Sequence, residues 1–368
     1  MTERMLCVMI KVLHIGEYVQ GGVATYIKTL ITRDREHGID NYLFMAEEKS
    51  EHGWDFPADK IVYYAYHRSM VSLIPAMRAI QKHIRRIEPD IVFLHSSWAG
   101  MLARVPLLFG KGRPRVIYNP HGWSFLMDVP MCKKRIYSMI EQVLAKKTDV
   151  IINVSKYEYD CGIKYGMPQE KMKVLYSGIQ DVAGIESKKT VHFSDGVINI
   201  LFVGRFDRQK GLDFLLDVFH KNKFPHLHLN IIGAPVISTE TNDYYDDEQI
   251  SFLGWVQNSQ IGEYYRAADA VIMPSRWEGF SIVALEAMRY GKAILASDRT
   301  SLPEQVEDGV NGYLFSLDDE MQLTTILQNL SSEKLVAMGK QAREMYCERF
   351  TEARMLDDIL SMYRYLSE

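Results

Sequence analysis

Short apolar runs alternate with helix-like stretches along most of this 368-residue sequence. The first half contains IKVLHI, NYLFMA, DIVFLHS, RVIYNP, DVIINVS and KVLYSG, and the second half contains INILFVG, HLHLNIIG, ISFLGWV, AVIMPS and AILASD. Strands that alternate with helices in this way form mostly parallel sheets whose two faces are covered by helices. The pattern therefore predicts an α/β fold built from such sheets.

The length of the chain and one weakly apolar segment predict two domains. A chain of this size can bury two cores. Residues 177–197 contain few large apolar side chains, which is typical of a linker. We expect an N-terminal domain over residues 1–180 and a C-terminal domain over residues 181–348. Residues 349–368 contain an amphipathic helix that we expect to pack back on the N-terminal domain. Its apolar face carries Met355, Ile359, Met362 and Tyr363.

The cysteines and histidines form no metal-binding pattern. The four cysteines are scattered without a CxxC pair, and none of the 11 histidines belongs to an HExxH motif. The acidic residues of the polar segment 234–249 are interpreted as a solvated loop. The sequence has no apolar run of about 18 residues, and its first residues do not resemble a signal peptide. We therefore expect a cytoplasmic protein with reduced thiols.

The charges are distributed unevenly. Residues 1–180 carry 25 Lys and Arg against 18 Asp and Glu, a net of +7, whereas residues 181–368 carry 18 against 29, a net of -11. The basic residues of the first half cluster at Arg78, Lys82, Arg85 and Arg86, at Lys111, Arg113 and Arg115, and at Lys133, Lys134, Arg135, Lys146 and Lys147. These clusters are either solvated helix faces or a surface attracted to anionic lipid. No nucleic-acid-binding motif accompanies them.

Two acidic and two basic residues indicate a site for a nucleotide-sugar. Arg205 and Lys210 follow the strand NILFV in the segment VGRFDRQKGL, and Glu278 follows the strand AVIMP. Glu286 lies eight residues later in the helix that begins near Ser281. Ligands of α/β folds bind at the carboxyl ends of strands, and phosphates bind near helix N-termini. Two cations can hold a diphosphate, and two carboxylates can accept hydrogen bonds from pairs of sugar hydroxyls.

The order of these motifs resembles the retaining glycosyltransferases of family GT4, which have the GT-B fold. The glutamate pair fits the E-x7-E signature of that family, VGRFDRQKGL fits its G-R-x4-K-G segment, and LPEQVEDGVNGYLF fits the stretch that follows. The resemblance extends from the glycine pair near residue 21 to the C-terminal helix. It implies two Rossmann-like, doubly wound domains that face a deep interdomain cleft, with the donor bound mainly to the C-terminal domain and the acceptor bound to the N-terminal one.

The resemblance also implies roles for individual residues. Glu278 would bind hydroxyls of the donor sugar, Glu286 the ribose, and Arg205 with Lys210 the diphosphate, without a metal or other cofactor. His121, in the segment NPHGWSF, would lie beside the donor sugar. The implied catalytic residues are His121, Arg205, Lys210 and Glu278. The implied donor-binding residues are Gly21, Gly22, Arg205, Lys210, Gly233, Val256, Glu278, Gly279, Phe280, Ser281 and Glu286.

Several of these residues also have a structural interpretation. Glu278 could cap a helix, Glu286 could be a buried partner of an arginine, and the Gly21–Gly22 pair could be a plain turn. Trp123 and Phe125 could line an acceptor pocket or belong to the core. The sequence departs from the family where it has Ala234 and Pro235 after LNIIG, and where it has Leu302 and Pro303 before Glu304, a segment that we assign to structure.

The predicted function is transfer of a hexosyl or N-acetylhexosaminyl group from a nucleotide-diphosphate sugar to an acceptor hydroxyl. UDP is favoured and GDP stays open. The acceptor is expected to be a lipid-linked glycan of surface polysaccharide assembly, at the inner face of the cell membrane. No carboxylate is clearly placed as a nucleophile, so retention is expected to follow front-face attack. The alternatives are a UDP-N-acetylglucosamine-type epimerase on the same fold and a non-catalytic nucleotide-sugar-binding partner.

Overall fold

The structure is a computed structural model that describes residues 9–33, 37–48, 50–108, 114–127, 129–182, 191–235, 247–257 and 259–368. The chain divides into two units. Unit 1 comprises Met1–Ser177 and Glu352–Glu368, and unit 2 comprises Gly178–Thr351. The divisions therefore lie three residues from each of the expected domain boundaries, at 180 and at 348.

In the described part of unit 1, seven parallel strands form one sheet in the order β3-β2-β1-β4-β5-β6-β7. The strands are β1 (Ile10–Gly16), β2 (Ile39–Ala46), β3 (Ile61–Tyr64), β4 (Ile91–His95), β5 (Arg115–Asn119), β6 (Val150–Asn153) and β7 (Met172–Val174). The predicted parallel α/β sheet is confirmed. The edge strand β3 is a strand that the sequence pattern did not predict.

Helices cover both faces of this sheet. They are α1 (Gly22–Arg33), α2 (Met70–Ile87), α3 (Ser97–Leu107), α4 (Met131–Ala145), α5 (Lys156–Lys164) and a C-terminal helix, which begins at Glu352 and ends at Ser367 and is α12 in chain order. Leu13 of β1 packs in one core cluster with α2 and α3, whereas its neighbour Val12 packs in another with α1 and α12. This alternation follows from the two-residue period of a strand. Both clusters are parts of the unit 1 core.

In the described part of unit 2, six parallel strands form a second sheet in the order β10-β9-β8-β11-β12-β13. The strands are β8 (Ile198–Val203), β9 (Leu227–Ile232), β10 (Ile250–Gly254), β11 (Ala270–Met273), β12 (Ala293–Ser297) and β13 (Gly312–Phe315). The helices are α6 (Leu212–Lys221), α7 (Ile261–Ala267), α8 (Ile282–Arg289), α9 (Leu302–Gln305), α10 (Glu320–Gln328) and α11 (Ser332–Arg349).

The first residues of the predicted linker are fixed to unit 2. The Tyr346 hydroxyl donates to the Ile179 carbonyl oxygen at 2.7 Å, and Arg343 forms two hydrogen bonds with the Asp181 carboxylate at 2.7 and 2.8 Å. Residues 178–182 therefore belong to the folded unit and not to a linker. Several sequence features lie outside the described residues: 183–190 of the predicted linker, 236–246 of the polar segment, and the basic residues Lys111 and Arg113.

Candidate active site

Two loops of unit 2 meet at the carboxyl ends of the adjacent strands β8 and β11. The Arg276 backbone N–H donates to the Gln209 carbonyl oxygen at 2.8 Å, and the Gln209 amide donates to the Trp277 carbonyl oxygen at 3.0 Å. Gly211, just before α6, has a φ of 70°, and a Cβ atom there would lie 2.0 Å from the Pro274 carbonyl oxygen. Glycine is therefore required for this approach. The two predicted motifs are held against each other.

Lys210 and Glu278 form an ion pair across these loops. The Lys210 Nζ atom lies 2.6 Å from Glu278 Oε1, and the Ser275 hydroxyl donates to the same oxygen at 2.8 Å. The Glu278 backbone N–H donates to the Thr300 hydroxyl, and the Ser301 hydroxyl donates to the Glu278 carbonyl oxygen. Glu278 is 9% exposed. The other carboxylate oxygen, Oε2, accepts no hydrogen bond from the described residues and is open to a ligand.

Arg205 lies at the protein surface, in the loop after β8 that also carries Lys210. Its Nε donates to the Asp207 carboxylate at 2.9 Å, and its terminal nitrogen donates to the Gln209 side-chain oxygen at 3.1 Å. Asp207 also accepts the Lys210 backbone N–H at 3.1 Å. The guanidinium group is half exposed, so it can still reach an anionic ligand such as a diphosphate.

The residues after Glu278 enter α8 in a fixed geometry. Gln305 of α9 accepts the Ser281 backbone N–H at 3.0 Å and donates to the Ser281 carbonyl oxygen at 2.9 Å. The backbone of Ser281 is therefore occupied by protein. Its hydroxyl is buried and has no hydrogen-bond partner among the residues that the structure describes. Phe280 is buried against Phe350 at a ring distance of 5.5 Å, and Gly279 is half-buried.

Glu286 lies on α8 and is held by a tyrosine, not by the arginine of the structural interpretation. The Tyr265 hydroxyl of α7 donates to Glu286 Oε2 at 2.7 Å, and the Tyr265 ring stacks on Tyr290 at 5.6 Å. Burial raises the pKa of Glu286, and the hydrogen bond from Tyr265 and the charge of Arg289 oppose that rise. Within the described part of the chain, Oε1 of Glu286 accepts no hydrogen bond.

Gly233 also lies where two main chains approach closely, beside the loop that contains Arg205. Gly233 has a φ of 152°, and a Cβ atom there would lie 1.8 Å from the Gly204 carbonyl oxygen. Its backbone N–H donates to the Gly254 carbonyl oxygen at 3.0 Å. Ala234, one of the two residues at which the sequence departs from the family pattern, accepts the Phe206 backbone N–H at its carbonyl oxygen at 3.0 Å. Val256, predicted to contact the base, is 9% exposed.

Unit 1 carries the other three predicted residues. Gly21 has a φ of 57° and its carbonyl oxygen accepts the Thr25 backbone N–H at 2.9 Å, which opens α1 at Gly22. Both glycines are exposed. His121 follows β5 with a φ of 50°, and its backbone N–H donates to the Asn119 side-chain oxygen at 2.9 Å. The His121 Nε2 atom lies 3.1 Å from Nδ1 of His95.

Trp123 and Phe125 belong to the core of unit 1. They are 1% and 0% exposed, and their rings stack at 4.9 Å. The Trp123 indole N–H donates to the Asn153 side-chain oxygen at 3.0 Å. Of the two interpretations that the sequence left open, the structure therefore supports core packing.

Comparison with known proteins identifies the family to which this chain belongs. Residues 185–345 match the family described as glycosyl transferases group 1, and residues 20–181 match glycosyltransferase family 4. A 41.2 kDa protein of the cps region of Klebsiella pneumoniae, itself uncharacterised, is 35% identical over 96% of this chain and 99% of its own length. The chain is a family 4 glycosyltransferase.

Two further proteins are similar to this glycosyltransferase. The UDP-Gal:alpha-D-GlcNAc-diphosphoundecaprenol alpha-1,3-galactosyltransferase of Escherichia coli is 24% identical over 80% of each chain. The structure of Alr3699/HepE from Anabaena in complex with UDP-glucose has a TM-score of 0.77 with 17% identity, over 97% of this chain and 100% of that one. The second likeness shows that the glycosyltransferase has the GT-B fold.

The residues that hold the site of the glycosyltransferase in place could not be read from its motifs. Ser275, Thr300, Ser301 and Gln305 contact Glu278 or Ser281, and Tyr265 contacts Glu286. Most of them lie about 20 residues away in sequence and reach the site only through the fold. The one available signal was the segment LPEQ after β12, which the sequence assigned to structure and which supplies Gln305.

Within the described residues, no group of three or more His, Cys, Asp or Glu side chains is arranged to hold a metal ion. Within the same residues, no helix combines the length and the apolar character needed to span a bilayer.

Proposed function

We propose that this glycosyltransferase moves a hexosyl or N-acetylhexosaminyl group from a UDP-sugar to a hydroxyl of a lipid-linked glycan, with retention at the anomeric carbon and without a metal. The observation that carries the proposal is the Lys210–Glu278 pair, in which Oε1 takes Lys210 and Ser275 while Oε2 is open. A carboxylate fixed by one oxygen can accept hydrogen bonds from sugar hydroxyls through the other.

The residues of unit 2 suit the stages of this transfer. Lys210 and Arg205 would bind the diphosphate and stabilise the negative charge that develops on it. The open Oε1 of Glu286 would accept a ribose hydroxyl. In the proposed step the bond from the anomeric carbon to the phosphate oxygen breaks, and the acceptor oxygen bonds to the same carbon on the same face. The acceptor's proton moves to the departing phosphate oxygen.

The similar proteins support the donor and the acceptor class. The E. coli relative is named for a UDP-galactose donor and a diphosphoundecaprenol-linked acceptor, and the Klebsiella relative is named for its cps region. The structurally similar Anabaena protein was crystallised with UDP-glucose. These names support a UDP-sugar and a lipid-linked glycan for the present enzyme.

The first test is donor binding followed by transfer. We expect UDP and a UDP-sugar to raise the unfolding midpoint, with or without EDTA, more than GDP or ADP do. Glu278→Gln should lower the transfer rate roughly 10- to 100-fold, the value of one hydrogen bond to a charged group. Glu320→Gln is the control, because Glu320 is an exposed glutamate of the same unit that pairs with Lys221 at 2.8 Å.

Three results would overturn parts of this proposal. An unchanged rate for Glu278→Gln would remove the carboxylate from the site. An inverted anomeric centre in the product, seen by NMR, would exclude retention. A new epimer formed from the donor alone would favour the epimerase.

The surface of α4 supports a membrane-bound acceptor. An exposed apolar stripe runs along this helix through Ile136, Met139, Ile140 and Val143, each 42–56% exposed. Cations border the stripe: Lys133 and Arg135 lie on its two sides in the first turns of the helix, and Lys146 and Lys147 follow its C-terminal end. The single acidic residue of the helix, Glu141, is buried against Arg104 at 2.7 Å. An apolar stripe between cations fits the headgroup region of an anionic bilayer.

Flotation with vesicles tests this surface. We expect the protein to float with phosphatidylglycerol vesicles at low salt and to stay behind with phosphatidylcholine. Replacing Ile136, Met139 and Val143 by serine should abolish flotation. Replacing the exposed Met321 and Val336 of unit 2 by serine is the matched control. Flotation that survives the triple change would show that α4 is not the membrane contact.

A further inference from the structure

A chain of buried polar side chains crosses four adjacent strands of unit 1 and ends at His121. The Asn41 side-chain oxygen on β2 lies 3.0 Å from Nε2 of His14 on β1. The His14 Nδ1 atom lies 3.0 Å from Nε2 of His95 at the end of β4. The His95 Nδ1 atom lies 3.1 Å from Nε2 of His121, two residues after β5.

The three imidazole rings are nearly parallel and packed among aromatic side chains. His14 and His95 are 5.3 Å apart and tilted by 19°, and His95 and His121 are 5.4 Å apart and tilted by 21°. Phe93 stacks on His95 at 4.4 Å, and Tyr26 of α1 meets His121 edge-on at 4.9 Å. These contacts fix the planes of the rings, and the hydrogen bonds between the rings set which nitrogen atoms face each other.

Burial keeps the three rings neutral. His14 and His95 are 1% and 0% exposed. Burial lowers the pKa of His14 to about 4 and that of His121 to about 3. It also lowers the pKa of His95 well below its usual range, and the charges of its two histidine neighbours act in the same direction. A neutral imidazole has one N–H donor and one acceptor nitrogen. The chain must therefore run in a single direction.

The direction follows from Asn41. A side-chain carbonyl oxygen can only accept, so His14 carries its proton on Nε2 and its Nδ1 accepts. His95 must then donate from Nε2 and accept at Nδ1, which requires that His121 donates from its own Nε2. The Nδ1 atom of His121 is left as an acceptor, and no described residue donates a hydrogen bond to it.

The backbone at His121 holds the ring in the same orientation. Its φ of 50° lies in the left-handed region, which histidine adopts more readily than most residues. The Asn119 side chain stabilises this conformation by accepting the His121 backbone N–H. Strained backbone of this kind is concentrated at functional sites.

We infer that Asn41, His14 and His95 are positioning residues that lock His121 as the Nε2–H tautomer, so that its Nδ1 accepts a hydrogen bond from a sugar hydroxyl. The tautomer is a property of unit 1 alone, whereas the identity of the hydroxyl rests on the proposed function. A purely structural network would fill the core equally well, but the rate of sugar transfer would then not depend on the direction of its hydrogen bonds.

The first measurement is the tautomer itself. Long-range ¹H–¹⁵N NMR spectra of the full chain, with labelled histidine, distinguish protonated from unprotonated ring nitrogens. At neutral pH we expect Nε2–H and a bare Nδ1 for all three rings, with His121 assigned by its loss in His121→Ala. A protonated Nδ1 on His121 would reverse the chain and overturn the inference. This measurement needs neither donor nor activity.

Two variants at the start of the chain test its direction. Asn41→Leu removes the acceptor, so we expect mixed tautomers at His121. His14→Gln keeps one acceptor and one donor, so the direction should be preserved. His83→Phe is the control for loss of a buried histidine, since His83 stacks on Phe44 at 4.3 Å outside the chain. An unmixed His121 signal in Asn41→Leu would show that Asn41 does not set the tautomer.

Kinetics then connect the tautomer to sugar. For Asn41→Leu we expect kcat/KM to fall in proportion to the fraction of His121 in the wrong tautomer, up to about tenfold, the value of one neutral hydrogen bond, while the affinity for UDP, which has no donor sugar, is unchanged. His14→Gln and His83→Phe should keep wild-type kcat/KM. If Asn41→Leu gave mixed tautomers but an unchanged kcat/KM, the tautomer of His121 would have no effect on sugar transfer. A wild-type protein with no transferase activity would refute the proposed function and leave the NMR result standing.

Discussion

Three candidate side chains share one arrangement: the protein holds one polar atom of each and leaves the other open. Glu278 is held at Oε1 by Lys210 and Ser275, and Glu286 is held at Oε2 by Tyr265. His121 is held at Nε2 by His95. Fixing one atom orients the other, which lowers the entropy lost when a ligand binds. At the scale of single residues, each of these side chains is therefore oriented before any ligand arrives.

We predict that the buried charge of Glu286 lowers the free energy of unfolding at neutral pH, although the same carboxylate is proposed to bind the ligand. Burial raises its pKa in the folded state, so the native protein binds more protons than the unfolded chain between the ordinary value of about 4.3 and the raised one. Stability therefore falls as the pH rises through that window, and the loss remains above it. Glu286→Gln keeps an acceptor for Tyr265 and removes the buried charge, so its advantage in stability should grow from about pH 4 to neutral pH.

Urea denaturation at a series of pH values checks this prediction, and UDP titration provides the second readout. We expect the variant to bind UDP about tenfold more weakly. A stability difference that does not change with pH would mean that Glu286 has an ordinary pKa in the fold.

At the scale of strands and loops, the site depends on main chains that approach too closely for a side chain. Gly211 and Gly309 both belong to unit 2 and have φ values of 70° and 77°. A Cβ atom at Gly211 would lie 2.0 Å from the Pro274 carbonyl oxygen, whereas a Cβ atom at Gly309 would meet nothing within 4 Å. The pair therefore separates the backbone cost of alanine from the cost of the clash.

We expect Gly309→Ala to destabilise unit 2 by about 1 kcal/mol, since only the left-handed backbone opposes it. Gly211→Ala should cost roughly 1–3 kcal/mol more and weaken UDP binding, because the loop that carries Glu278 must move. Chemical denaturation and UDP titration of both variants give the comparison. Equal costs for the two would show that the loops can separate freely.

The sequence predicted the strands that are buried on both faces and the motifs that follow them. It missed β3 and β13, which are edge strands of only four residues each, so neither gives a long apolar run. It could not place Gln305 against Ser281, since that contact depends on how two loops fold together. The strand predicted over KVLYSG is shorter in the structure and ends at Val174.

For the whole molecule, chain order and spatial order differ at the C-terminus. Helix α12 follows unit 2 in the sequence but completes the core of unit 1. Met355, Leu356, Ile359, Leu360, Tyr363 and Leu366 of this helix are each less than 8% exposed. Unit 1 therefore cannot complete its core until the last residues of the chain are available.

Removal of α12 should unfold unit 1 selectively. Burial of a large apolar side chain contributes about 2 kcal/mol. Loss of six such side chains therefore removes most or all of the 5–15 kcal/mol that typically stabilises a domain. For a chain that stops at Thr351 we expect exposed amides throughout unit 1 in hydrogen exchange. Unit 2 contains both sides of its own candidate site, the Lys210–Glu278 pair and the Tyr265–Glu286 pair, so it should keep its protection and still bind UDP. A chain with Ile359→Ser and Tyr363→Ser should show the same selective loss without truncation. Uniform protection in the shortened chain would mean that α12 only covers a core that is stable without it.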